Sequence, residues 1–154
     1  MEEEDMCFSS EHDFYEAWRF EDCDDLMQAM HSGDIVFFNE KQSNILWSMF
    51  ISPNERHMMK VGLKEVLKID HYDVDFEDDK SASELFFDFE KVLPAISNVF
   101  VFFSAKCLCI APYSLLKKYW NYFFLPSDET TVVVTESNSH FIFSYEERFF
   151  LVTR

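Results

Sequence analysis

Residues 130–153 read TTVVVTESNSHFIFSYEERFFLVT, and this stretch decides the fold class. Three β-rich runs, at 130–135, 140–145 and 148–153, are separated by polar turns at 137–139 and 146–147. Strands so close along the chain must pair antiparallel, because a parallel return needs a crossover of about a dozen or more residues. The C-terminus is therefore predicted to be a β-meander.

The region before the meander predicts a hairpin and two helices. Val99–Phe103 and Cys107–Ala111 are β-rich runs on either side of a short turn, the pattern of an antiparallel hairpin. In Ser81–Val92 and Pro112–Phe124, apolar residues recur three and four positions apart, as they do on one face of a helix. Pro112 suits the first turn of the second helix, where its missing N–H costs nothing.

The N-terminal half contains weaker signals. A helix is predicted to begin near Asp22, where carboxylates favour the positive end of the helix dipole, and to end just before Gly33. Ile35–Phe38 follows as a short strand. The apolar spacing in Asn44–Ile51 suits a helix and a buried strand equally well.

Together these elements predict a single α/β domain of the α+β type. Its sheet is expected to be mostly antiparallel, with about five or six strands, helices packed on one face, and the C-terminal β-meander. The 154 residues include 19 phenylalanines, which is ample material for a core. We expect this globular domain to span residues 13–154, after an acidic, flexible N-terminal arm at residues 1–12.

The formal net charge of −16 is concentrated in two blocks. Residues 1–25 contain eleven acids and one arginine, and residues 70–90 contain nine acids and one lysine. Focused negative charge steers basic partners and raises their association rate. It also disfavours direct binding to nucleic acid or anionic lipid, because the phosphates would be repelled.

The second block opens with IDHYDVDFEDDK at residues 69–80, which holds six carboxylates in twelve positions. One interpretation is a solvated loop before a helix. The other is a protein-binding surface, in which Tyr72 serves as an aromatic anchor among steering charges, while Phe76 can equally well point inward. On the second interpretation the candidate partner-binding residues are Asp70, Tyr72, Asp73, Asp75, Glu77, Asp78 and Asp79, with Asp128 and Glu129 as weaker candidates.

Motifs that carry catalysis or bind cofactors are absent from the sequence. The two glycines, Gly33 and Gly62, cannot form a phosphate-binding or dinucleotide-binding loop, and neither a GxSxG nor an HExxH motif occurs. The acidic stretch lacks the mid-loop glycine and final bidentate glutamate of a calcium loop. We therefore expect no enzymatic activity, no cofactor and no metal, although a pair of carboxylates doing acid–base chemistry stays an alternative.

The N-terminus MEEED has neither the positive charge nor the apolar run of a secretory signal. Cys107 and Cys109 have no second Cys or His pair at metal-site spacing, so reduced thiols in a cytoplasmic protein are expected.

Two segments carry a family resemblance: LLKKYWNYFFLPSDETTVVV at 115–134 and ILWSMFIS at 45–52. This arrangement resembles bacterial polymorphic-toxin immunity proteins, including those of contact-dependent growth inhibition. The resemblance implies a cytoplasmic, non-enzymatic protein that binds and neutralises a cognate toxin domain, expected to be a basic nuclease. It implies no binding residues, because these families share no common site.

We expect a monomer or weak homodimer. The alternative function is an acidic nucleic-acid mimic or anti-restriction-type inhibitor of DNA-binding proteins. Two charge blocks separated by near-neutral sequence fit an extended mimic less well.

Overall fold

A computed structural model describes residues 17–51, 68–92, 97–125, 131–137, 139–145 and 148–153. The helices are a 3₁₀ turn at Ala17–Phe20, α1 (Asp24–Ser32), α2 (Glu40–Phe50), α3 (Ser83–Glu90), α4 (Tyr113–Lys118) and α5 (Trp120–Phe123). The strands are β1 (Val36–Phe37), β2 (Lys68–Asp73), β3 (Asn98–Ser104), β4 (Cys107–Pro112), β5 (Val132–Thr135), β6 (His140–Tyr145) and β7 (Arg148–Thr153).

The seven strands form one antiparallel sheet in the order β1-β4-β3-β5-β6-β7-β2. The fold class is confirmed: this is an α+β domain whose last three strands form the predicted meander. The sheet has one strand more than the five or six expected. The short strand expected at Ile35–Phe38 is β1, and the additional strand is β2, which runs into the acidic stretch. The predicted arm at residues 1–12 lies outside the described residues.

Helices cover both faces of the sheet, so the expectation of helices on one face was wrong. One face packs against α1, α3, α4 and α5 and is called the helical face below. The other face packs against α2, whose Trp47 lies edge-on to Phe102 of β3 with 5.5 Å between ring centroids. The physical reason is visible in β3, where Val99 and Val101 face one way, Phe100 and Phe102 the other, and both sets are apolar. Strands that are apolar on both sides need cover on both sides.

Local signals place the ends of two helices. The helix predicted near Asp22 is α1, and Gly33 ends it in the left-handed conformation with φ 85°. The ambiguous segment Asn44–Ile51 is helical as far as Phe50 and forms the C-terminal part of α2. A cap that was not predicted starts this helix: the Asn39 side chain accepts a hydrogen bond from the Gln42 N–H at 2.8 Å.

The helix predicted over Pro112–Phe124 is divided into α4 and α5 at Tyr119, whose φ of −118° and ψ of 32° are not helical. Leu116, Trp120 and Phe123 are buried as the apolar spacing predicts. In the part of the chain that the structure describes, no helix combines the length and the apolar content needed to cross a bilayer.

Candidate protein-binding surface

The first part of the acidic stretch is an edge strand. All six residues of β2 pair antiparallel with β7, and β2 is the last strand of the sheet in the described part of the chain. Because side chains alternate along a strand, Asp70 shares the helical face with Tyr72, while His71 and Asp73 lie on the other side. The predicted carboxylates are therefore divided between two faces of the sheet.

Tyr72 points inward. Only 9% of its surface is exposed, and its hydroxyl donates a 2.7 Å hydrogen bond to Oδ2 of Asp88 on α3. That hydrogen bond, helped by a second one from Lys91, lowers the pKa of Asp88 below its usual range. Burial, followed by the Asp88 carboxylate, raises the pKa of Tyr72 well above its ordinary value. Tyr72 thus joins β2 to α3 and offers little ring surface to a partner.

Residues 74–82, called the acidic loop below, are organised by their own carboxylates. Oδ1 of Asp75 accepts the Glu77 N–H at 2.9 Å, and Oδ1 of Asp78 accepts the Lys80 N–H at 3.0 Å. Both are turns closed by an aspartate side chain. Oγ of Ser81 lies 2.8 Å from the carbonyl oxygens of Asp75 and Asp78. The carboxylates of Asp75 and Asp78 therefore stabilise the conformation of this loop, independently of any partner.

Two aromatic contacts anchor the acidic loop to the helical face. Phe76 packs against Trp120 and Phe149, with ring centroids 5.4 Å and 5.7 Å away. The indole N–H of Trp120 donates to the Asp79 carbonyl at 3.0 Å, and the Asn121 side chain donates to Oδ1 of Asp79 at 2.8 Å. Phe76 therefore takes the inward position that the sequence left open.

The other predicted partner-binding residues are ion-paired, exposed or outside the described residues. Asp73 is 84% exposed and forms a 3.0 Å ion pair with Arg148, directly across from it on β7. Asp70 forms a 3.3 Å ion pair with Lys68. Glu77 is exposed. Asp128 and Glu129 lie outside the described residues.

The fold brings both acidic blocks into contact with α4 and α5. Asp25, from the first block, accepts a hydrogen bond from the Tyr119 hydroxyl and lies 3.9 Å from Nζ of Lys118. From the second block, Glu90 pairs with Lys117 at 2.6 Å, and Asp79 bonds Asn121 as described above. We call this surface the acidic face. It is formed around α4 and α5 by the carboxylates of residues 21–25 and 70–90, except Asp73, which lies on the other side of the sheet.

Arg19, the only arginine or lysine of the first block, is buried against α5. It is 8% exposed, and its guanidinium donates to the Phe123 carbonyl at 3.1 Å and lies 4.6 Å from the Phe103 ring centroid. The negative charge of the exposed acids at positions 21, 22, 24 and 25 is therefore not offset by an exposed arginine of the same block.

Sequence reasoning missed Phe87, which is the exposed aromatic of this region. It is 63% exposed on α3, and Nζ of Lys91 lies 4.6 Å from its ring centroid. The helical period could have predicted this exposure. The buried residues of α3 are Leu85, Phe86 and Phe89, and position 87 lies outside the face that they form. Val92, the last residue of the helix predicted over Ser81–Val92, lies beyond the end of α3 and is 42% exposed.

The described residues give little support to metal binding or to thiol chemistry. Among them, no three His, Cys, Asp or Glu side chains are grouped so that they could hold a metal ion. Cys107 and Cys109 are buried cysteines outside any disulfide on the helical face, and burial raises the pKa of the Cys109 thiol well above its usual value. Such thiols are inert in the folded protein.

No protein-family model, curated protein or solved structure matches this chain. Its function is therefore inferred from its own residues.

Proposed function

We propose that this protein is a non-enzymatic immunity protein that binds a cognate, basic toxin domain through the acidic face and neutralises it in the cytoplasm. The observation that carries the proposal is the meeting of the two acidic blocks around α4 and α5. A nuclease needs a positive groove to hold its substrate, and a concentrated negative surface on a folded protein complements such a groove.

The acidic face is suited to a rigid mode of binding. Phe76, Trp120 and the side chains of Asp75 and Asp78 hold the acidic loop in place before any partner arrives. An ordered loop loses less conformational entropy on binding than a disordered one, so more of the electrostatic attraction is available as affinity.

The experiment that tests this proposal is a pull-down of the tagged protein from its native cells, washed at low and then at high salt. We expect one stoichiometric basic protein that survives moderate salt and whose expression alone arrests growth. Co-expression of the acidic protein should restore growth. Recovery of no partner, or of one whose toxicity is unaffected, would contradict the proposal.

A matched pair of variants then tests the surface. Glu77→Gln with Glu84→Gln removes two exposed charges, one on the acidic loop and one in the first turn of α3. Asp34→Asn with Glu40→Gln removes two charges next to β1, at the other edge of the sheet. We expect the first pair to slow association with the partner by about two- to fivefold at low salt, and the second to have little effect. If both pairs slowed association equally, the net charge of the protein and not the acidic face would govern association.

The acidic nucleic-acid mimic stays the second candidate, and one observation favours it more than the sequence did. The two blocks are separate along the chain but share the surface around α4 and α5, so the carboxylates are less scattered than their spacing suggests. A mimic should recover many DNA-binding proteins in the pull-down, and these should all be lost together as the salt concentration rises.

A further inference from the structure

The sheet has an open edge along β2 in the part of the chain that the structure describes. β2 ends the strand order, and its six residues pair with β7 in one unbroken register. Among the described residues, no backbone hydrogen bond joins the outer side of β2 to another segment. Alternate residues of an edge strand direct their N–H and C=O groups away from the sheet. β2 therefore offers a row of backbone donors and acceptors to a further strand.

Charge alone protects this edge against further pairing. Proteins commonly block an edge with a very short strand, a proline or a bulge, and β1, at the other end of the sheet, is only two residues long. β2 has six residues without a proline or a bulge, and Ile69 is 47% exposed on it. Its charged residues are Lys68, Asp70 and Asp73. Charges repel a strand of like charge but not one of opposite charge.

The charge along β2 and the acidic loop favours a basic strand. Within β2, Lys68 pairs with Asp70 at 3.3 Å. Asp73 pairs with Arg148 of β7 at 3.0 Å. The acidic loop, which follows β2 directly, is not balanced in this way, because no described lysine or arginine forms an ion pair with the carboxylates at positions 75, 77, 78 and 79. A second copy of this chain, with its net charge of −16, would be repelled, whereas a basic segment would be attracted.

We infer that β2 receives an extended, basic segment of the partner, which joins the sheet as an additional strand and ends beside the acidic loop. Main-chain hydrogen bonds to β2 supply affinity in this mode of binding, and the neighbouring side chains supply specificity. The inference rests on the proposed function, because it names the contact by which the basic partner would be held next to the acidic face.

Amide hydrogen exchange of the full chain tests the contact, with a peptide of alternating lysine and valine as the probe. Alternate amides of β2 should exchange quickly in the free protein and more slowly when the peptide is bound, because only strand pairing protects them. The glutamate–valine peptide controls for charge, and the lysine–valine peptide with N-methylated alternate residues controls for backbone pairing. Neither control should slow exchange in β2. If the lysine–valine peptide leaves exchange in β2 unchanged, this edge does not accept a basic strand.

Ile69→Lys and Ile45→Lys form a matched pair with the same net charge. Ile69 is 47% exposed on β2 and Ile45 is 40% exposed on α2, so neither substitution alters the core. Ile69→Lys places a like charge beside a basic strand and should weaken binding of the partner recovered by the pull-down about two- to fivefold, whereas Ile45→Lys should leave it unchanged. Equal binding by both variants would overturn the inference and leave the proposed function standing. The proposed function fails separately if the pull-down recovers no basic partner.

Discussion

Replacing Phe76 by alanine provides a strong test of how the acidic loop is held. Truncation of a fully buried phenylalanine costs about 3–5 kcal/mol in free energy of unfolding. Phe76 is only partly buried, but it touches Trp120 and Phe149, and aromatic contacts add about 0.5–1.5 kcal/mol beyond the buried area. We therefore expect Phe76→Ala to lower the free energy of unfolding by about 2–3 kcal/mol.

The same substitution at Phe87 is the matched control. Phe87 is 63% exposed, so Phe87→Ala should change the free energy of unfolding by no more than about 0.5 kcal/mol. Urea denaturation followed by circular dichroism and tryptophan fluorescence measures both variants. In thermal scans Phe76→Ala should melt about 4–12 °C below the wild-type protein, because about 1 kcal/mol corresponds to 2–4 °C in a chain of this length.

A third variant separates apolar volume from aromatic geometry. Phe76→Leu keeps most of the buried apolar surface and should recover more than half of the loss caused by Phe76→Ala. If Phe76→Ala is no more destabilising than Phe87→Ala, the loop is not anchored by this ring, and the interpretation of the acidic loop as an ordered surface is wrong.

Three further predictions follow from other parts of the molecule. Gly33→Ala should lower the free energy of unfolding by about 1–2 kcal/mol, because a residue with a side chain is strained at a φ of 85°. No atom lies within 4 Å of the new Cβ, so the cost comes from the backbone conformation and not from a clash. An unchanged urea midpoint would contradict this prediction. Because the folded pKa of Asp88 is lowered, its hydrogen bond from Tyr72 stabilises the protein above the ordinary carboxyl pKa, near 4, and this stability is lost as the pH falls through the lowered value. The difference in stability between the wild-type protein and Tyr72→Phe should therefore shrink below about pH 4 in denaturation series, and a difference independent of pH would refute the reasoning. Buried Cys107 and Cys109 should react with a thiol reagent only when the protein unfolds, so labelling at the same rate with and without urea would contradict their burial.

Exposed charges of the acidic face, such as Glu77 and Glu84, should act mainly on the rate at which a partner associates. Measuring the association and dissociation rates of Glu77→Gln with Glu84→Gln tests this expectation.

Local secondary-structure elements were predictable from the sequence. The meander followed from strands of alternating or continuous apolar residues joined by turns too short for any but antiparallel pairing. Gly33 marked the end of α1, because only a residue without a side chain tolerates a left-handed cap without strain. These signals are readable because each depends on residues a few positions apart.

The contacts between distant segments could not be predicted in this way and depend on the tertiary structure. The acidic strand β2 pairs with β7, about 80 positions further along the chain, and α2 covers the face that the prediction left open. Tyr72 and Phe76 point inward while Phe87 points outward, although all three lie among acids in the sequence. The direction in which each of these side chains points depends on how much apolar surface the whole domain buries. A local sequence pattern does not contain this information. The acidic face is therefore a product of the fold, because its two blocks become neighbours only through their packing around α4 and α5.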